Sequence, residues 1–145
     1  MSIPFLSDAW IKALQVELNQ SQSYQASARN WEGDFYFVIT LEGGAPPVYF
    51  YMDLWHGECR AAYAVVNPEA LSPEFIIEAP LATWRKVVEK RLDPIQGLVM
   101  HQLKLKGPLV KVLRAPMAAM NLVQCCTHID TEWPAPEAVA AGPAI

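Results

Sequence analysis

Charge is scarce in this chain. Asp, Glu, Lys and Arg make up 18% of its 145 residues, below the typical quarter, whereas apolar residues make up 52%. Acids outnumber bases by fifteen to eleven, for a formal net charge of −4 and a pI near 5.3. That balance argues against nucleic acid or an anionic membrane as the main partner, because both call for a basic face. Cysteine is scarcer still: Cys59, Cys125 and Cys126. An odd count with two neighbours is a poor disulfide framework. The opening MSIPFLSDAW has no basic stretch followed by an apolar one, so no signal peptide is expected and the reading is a cytoplasmic chain with inert, buried thiols. No run approaches the ~18 apolar residues of a membrane span.

Catalytic patterns are missing too. There is no glycine-rich phosphate loop, no GxSxG elbow and no HExxH helix. Cys125-Cys126-Thr127-His128 gathers two thiols and an imidazole, but zinc sites use spaced pairs, and adjacent cysteines do not readily bind one tetrahedral ion. A Cys–His nucleophile pair would need the fold to bring them together. His56, in a turn, and His101, just before a strand, both read as solvated or capping residues. No catalytic residue, metal or cofactor is expected.

What remains is a large supply of apolar surface. A chain of this size forms one domain that buries roughly 68–70% of its unfolded surface. Ser7 caps a helix starting at Asp8, with Trp10, Ile11, Leu14 and Leu18 at helical spacing and Lys12, Gln15 and Asn19 facing out. Residues 19–30 read as a second helical piece or a loop. Residues 34–41, 48–55 and 59–66 alternate as strands joined by short turns, an antiparallel meander. A fourth strand spans residues 75–79. Pro80 opens a helix with Leu81, Trp84, Val87, Val88 and Leu92 as its apolar stripe. Asp93-Pro94 starts another, with Ile95, Leu98 and Val99. Leu103 and Leu105 alternate with Lys104 and Lys106, as in a protected edge strand. Leu109, Val112, Leu113, Met117 and Met120 fall on one helical face, which Pro116 splits or kinks. Residues 1–130 read as one domain and 131–145 as a Pro/Ala-rich flexible tail.

The order of Trp84, Leu92-Asp93-Pro94, Gln102-Leu103-Lys104-Leu105-Lys106-Gly107 and the apolar segment after it resembles the sterol carrier protein type-two family, the nonspecific lipid-transfer domain. The resemblance runs from about residue 7 to 128. Lys90-Arg91 stand where that family commonly has a glycine and a lysine, and Gln102 where a glycine often opens the strand. The resemblance implies an α+β fold, a mainly antiparallel sheet of five strands with helices packed on one face and an apolar tunnel between the layers. It also implies a ligand that is a sterol, fatty acid, fatty acyl-CoA or other lipid.

On this reading Trp10, Ile11, Leu14, Phe35, Phe37, Trp84, Ile95, Leu103, Leu105, Met117 and Met120 line the ligand cavity, though any single one of them is more readily read as core. Asp53 and Glu78 either add polar groups to the pocket or face water. The first helix and the segment after Pro108 form the lid, with residues 115–120 as the gate. Phe5, Leu6 and the region near Pro116 make transient membrane contact. The rival reading is a protein-interaction domain, a homodimer or accessory subunit, that uses its apolar surplus to cover a partner.

Overall fold

A computed structural model describes residues 2–134. The chain starts in a two-residue strand, β1 (Ile3–Pro4), and enters helix α1 (Asp8–Gln20) at Ser7, whose Oγ accepts from the Trp10 N–H at 3.3 Å. Trp10, Ile11, Leu14 and Leu18 are buried as their spacing predicts. Ser21 caps a second short helix, α2 (Gln22–Ser27), which settles the ambiguous polar stretch.

Five strands form the main sheet: β2 (Glu32–Thr40), β3 (Val48–Trp55), β4 (Glu58–Ala64), β5 (Phe75–Pro80) and β6 (Lys104–Lys106). Their order is β4-β3-β2-β5-β6, with β2 parallel to β5 and all other pairs antiparallel. The fold is α+β with a mainly antiparallel five-stranded sheet, as expected. Because β2 is central, it is buried on both faces rather than one. Phe35 and Ile39 point one way, Tyr36 and Val38 the other, where the Tyr36 hydroxyl donates to the Pro68 carbonyl at 3.0 Å.

Both sheet edges are guarded. The expectation that Gln15 and Asn19 face only water is corrected: both side-chain amides donate to the Cys59 carbonyl at 3.0 Å, and Asn19 Oδ1 accepts from the Cys59 N–H at 2.8 Å. Asp8 Oδ1 accepts from the Ala64 N–H. The free backbone of β4 is thereby covered by polar side chains of α1. At the other edge, Lys104 and Lys106 are exposed, as expected of a protected edge.

Four helices follow β5: α3 (Leu81–Val88), α4 (Pro94–Val99), α5 (Leu109–Leu113) and α6 (Pro116–Cys126). Pro80 sits one residue earlier than expected, extended at ψ 158° as the last residue of β5. Asp93 Oδ1 accepts from the Ile95 and Gln96 N–H groups and so starts α4, but Val99 faces outward, exposed. Pro116 occupies the first turn of α6, where its missing N–H costs nothing, so the apolar segment divides into two helices there.

The expected tail is partly structured. β7 (Thr131–Glu132) pairs in parallel with β1, and Trp133 packs on Phe5 at 4.5 Å between ring centroids. Phe5 is 3% exposed, a core residue and not a membrane probe. The rest of the predicted tail, residues 135–145, lies outside the described residues.

Gly107, which joins β6 to α5, has φ +131°, and a Cβ there would lie 2.7 Å from the Glu74 carbonyl oxygen and 2.9 Å from Phe75 Cδ1. Gly44 also has positive φ, but open space around it. Gly107→Ala is therefore expected to lower stability by about 1–3 kcal/mol in urea denaturation, and Gly44→Ala by less. Equal costs at the two positions would show that the close approach at Gly107 contributes nothing.

Candidate functional site: an apolar cavity between sheet and helices

The helices stand off the sheet around one cavity of about 110 Å³. Its floor is aromatic and aliphatic: Phe35 and Phe37 from β2, Leu54 from β3 and Ile77 from β5. The strand period of two puts the phenylalanines on the same face, where they stack at 5.2 Å between centroids. One wall comes from Trp84 and Val87 of α3, another from Pro94, Ile95 and Leu98 of α4 together with Leu103. Trp31 and Tyr24 close one end.

The roof explains why there is space at all. α6 turns Ala118, Ala119, Leu122 and Val123 inward, with Ala115 just before it and Val112 from α5 alongside. Residues 115, 118, 119 and 122 follow helical spacing, and three of the four are alanine, so methyl groups face aromatic rings. No charged side chain lines the cavity. The Trp84 indole N–H is satisfied by the Val38 carbonyl at 2.9 Å, and its ring meets Phe37 edge-on at 5.7 Å, so both the ring and its polar tip are fixed. Burial pushes the Tyr24 phenol well above its usual range, so it stays neutral.

Of the residues expected to line the site, Phe35, Phe37, Trp84, Ile95 and Leu103 do so. Trp10, Ile11 and Leu14 are buried in the core beneath α1, where the Trp10 indole donates to Thr131 Oγ1 at 2.9 Å. Leu105 is half-buried against the core but does not reach the cavity. Met117 and Met120 are 56% and 48% exposed and face away from it. Size favours the methionines as lining residues, but α6 is apolar almost all round, and the contacting face is the one with alanines. The spacing 115-118-119-122 is the signal that marks it.

Lys111 tethers α5 over this cavity. Lys111 Nζ donates to the Glu32 carbonyl and lies 3.0 Å from both carboxylate oxygens of Glu74, 5.1 Å above the Trp31 ring. A five-residue helix has little stability of its own, so this tether and the buried Val112 next to it fix its position.

A larger polar cleft of about 410 Å³ includes Asp34, Tyr51, Asp53, Arg60 and Glu74. Its volume exceeds that of the apolar cavity, but its groups satisfy one another: Tyr51 donates to Asp34 at 2.9 Å, Arg60 pairs with Asp53 at 3.0 Å and Glu74 with Lys111. Neither Asp53 nor Glu78 lines the apolar cavity. The thiols are free and buried. Burial pushes Cys59 up to about 12 and raises Cys125 and Cys126 as well, so none is a ready nucleophile. His128 turns to Glu17, Nδ1 to Oε1 3.1 Å. Among the described residues no three His, Cys, Asp or Glu side chains are grouped to hold a metal ion.

Comparison with known proteins agrees with this architecture. The profile of the SCP-2 sterol transfer family matches residues 11–118. No curated protein matches the chain in sequence. A crystal structure of sterol carrier protein 2 is 35% identical over 86% of this chain and 98% of its own, with a TM-score of 0.76. A Thermus thermophilus protein, described as possibly a sterol carrier protein, is 34% identical over 94% of this chain and 96% of its own, with a TM-score of 0.77. Palmitated sterol carrier protein 2-like 2 from Aedes aegypti shares the fold at a TM-score of 0.54 and 16% identity, over 91% of this chain and 100% of its own. The order of elements, the uncharged cavity and these matches together establish that the chain belongs to the SCP-2 sterol transfer family.

Proposed function

We propose that the domain binds a lipid with a flexible acyl chain in the cavity under α6 and carries it without covalent chemistry. The observation that supports this is the cavity's composition: apolar walls, no charged side chain and no nucleophile at its surface. Each methylene transferred there from water is worth ~0.8 kcal/mol. The empty space itself costs about 2–3 kcal/mol, at ~24 cal/mol per Å³ of the 110 Å³ cavity, and an occupant recovers that.

The cavity is smaller than the roughly 300–1,000 Å³ of ordinary ligand pockets. A long chain therefore enters only if part of the roof moves out. The mobile part on this reading is α5 with the first turn of α6, since Gly107-Pro108 precedes it and Ala115-Pro116 divides it. A chain fits such a stepwise opening better than a rigid ring system does. The palmitated Aedes aegypti neighbour is in keeping with an acyl ligand.

Natively purified protein, extracted with organic solvent and analysed by mass spectrometry, should yield a lipid near one per chain, and a fluorescent fatty acid should bind saturably. Ala118→Leu fills the cavity without touching its outer surface and is expected to weaken that binding more than tenfold, with little change in melting temperature. A clean extract together with no saturable binding would sink the proposal.

The tether gives a separate expectation. Lys111→Met keeps most of the apolar stem but loses the contacts to Glu32 and Glu74. The half-exposed ion pair is worth only about 0–1 kcal/mol, so global stability should change little. Ligand release in stopped flow, however, should accelerate several-fold. An unchanged release rate in a folded variant would remove α5 from the gate.

A further inference from the structure

A groove of about 230 Å³ lies on the outer surface between the turn after α3, the start of α4 and α6, with Lys90, Asp93, Met117 and Gln124 among its lining residues. Pro94 and Val123 line both this groove and the apolar cavity, so a single layer of side chains separates the two. Met117 belongs to the first turn of α6, a part of the roof that moves on the reading given above. The groove thus lies where a chain leaving the cavity between α4 and α6 would emerge.

The cation in this groove is placed by an uncommon backbone. α3 ends in a Schellman turn, in which the Arg91 N–H donates to the Lys86 carbonyl at 2.7 Å and the Lys90 N–H to the Val87 carbonyl at 3.0 Å. Glycine is the usual residue at the left-handed position of such a turn. Here it is Lys90, at φ +61°, where a side chain meets a steric penalty that glycine avoids. What the lysine adds is reach: its Nζ crosses to α6 and donates to Gln124 Oε1 at 2.7 Å. Arg85, Arg91 and Lys111 each face a carboxylate, whereas Lys90 meets a neutral amide that leaves its charge uncancelled. Among the described residues the groove has one acid, Asp93, and its Oδ1 already accepts from the Ile95 and Gln96 N–H groups.

We propose that Lys90 holds the anionic head of the ligand, the carboxylate of a fatty acid, in this groove while the acyl chain lies in the cavity. The assignment rests on the acyl reading of the cavity and adds which end of the ligand is recognised, and by which residue. The cavity has no charged side chain, so a carboxylate drawn fully inside would lose its hydration with nothing in return. At the Pro94–Val123 boundary the surroundings change from apolar wall to a surface cation, beside which a carboxylate keeps part of its water. A quaternary ammonium head would meet Lys90 as a like charge, and an alcohol would gain only a neutral hydrogen bond. Gln124 follows Met117 on α6 by about two turns, ~10 Å, so a head resting against Lys90 and Gln124 does not reach Met117.

The test is isothermal titration calorimetry on the full chain with laurate, dodecanol and dodecyltrimethylammonium, which share one tail and differ in the head. Laurate is expected to bind about fivefold more tightly than dodecanol at low salt, the scale of a half-exposed ion pair. That margin should shrink as salt is raised, and the ammonium should bind most weakly. Lys90→Gly removes the cation and relieves the backbone, so laurate should fall to the level of dodecanol, whose own affinity holds, with no drop in melting temperature. Lys90→Arg should keep the margin, and Lys90→Glu should place the ammonium above laurate. Gln124→Leu breaks the link to α6 but leaves the cation, and laurate should keep its margin there too. A Lys90 that only pins the turn to α6 gives a different pattern: Lys90→Gly and Gln124→Leu weaken laurate and dodecanol alike, and that result overturns the proposal. Equal saturable binding of laurate and dodecanol by the parent protein also overturns it, while leaving the acyl chain in the cavity. Saturable binding of none of the probes removes both readings.

Discussion

The structure turns on a mismatch of side-chain size across one interface. On one side stand Phe35 and Phe37 from the sheet and the ring of Trp84 from α3; on the other, α6 and the residue before it present Ala115, Ala118 and Ala119. Interiors are normally filled to the density of organic crystals, and here the small residues leave a gap lined by apolar side chains. α6 is held at this distance by other contacts. Cys125 and Cys126 are buried at its far end, and the Asn121 amide donates to Ser27 Oγ at 2.9 Å and the Ser23 carbonyl at 3.1 Å, tying α6 to α2. The roof therefore does not simply collapse onto the floor.

α1 and α5 are built for different degrees of rigidity. α1 is sewn to β4 by Asp8, Gln15 and Asn19 and to the C-terminal strand by Trp10. Such a helix does not lift without exposing a whole strand edge. α5 has one buried residue, Val112, and one tethering side chain, Lys111. Local opening follows the element with the fewest buried contacts. On the proposed reading this difference places the gate at α5 and the start of α6, whereas α1 covers a strand edge and lines none of the cavity.

Much of the fold was legible in the sequence because its signals were local. Ser7 and Asp93 cap helices as their residue type dictates, Pro116 divides the apolar segment, and Lys104 and Lys106 mark an edge. The site was less legible, since lining a cavity depends on which face of a nearly uniform apolar helix meets the sheet. Phe35, Phe37 and Trp84 were found because they dominate their elements. Met117 and Met120 were placed inward because large apolar residues are normally assigned to the interior, whereas here both are exposed. Tyr24 and Trp31, from a polar stretch and a loop, carried no periodic signal. The pairing of Thr131–Glu132 with Ile3–Pro4 joins opposite ends of the chain, a contact that no window of sequence contains.

The account stands on one claim: that the gap under the alanine face of α6 is where a lipid chain lies. Isotope-filtered NMR on methyl-labelled protein with unlabelled palmitate tests it directly. The account predicts intermolecular contacts from the acyl chain to the methyl groups of Ala118, Ala119, Leu98 and Ile77, with none to Met117. Contacts confined to Met117, Met120 and Val110 on the outer surface would contradict it.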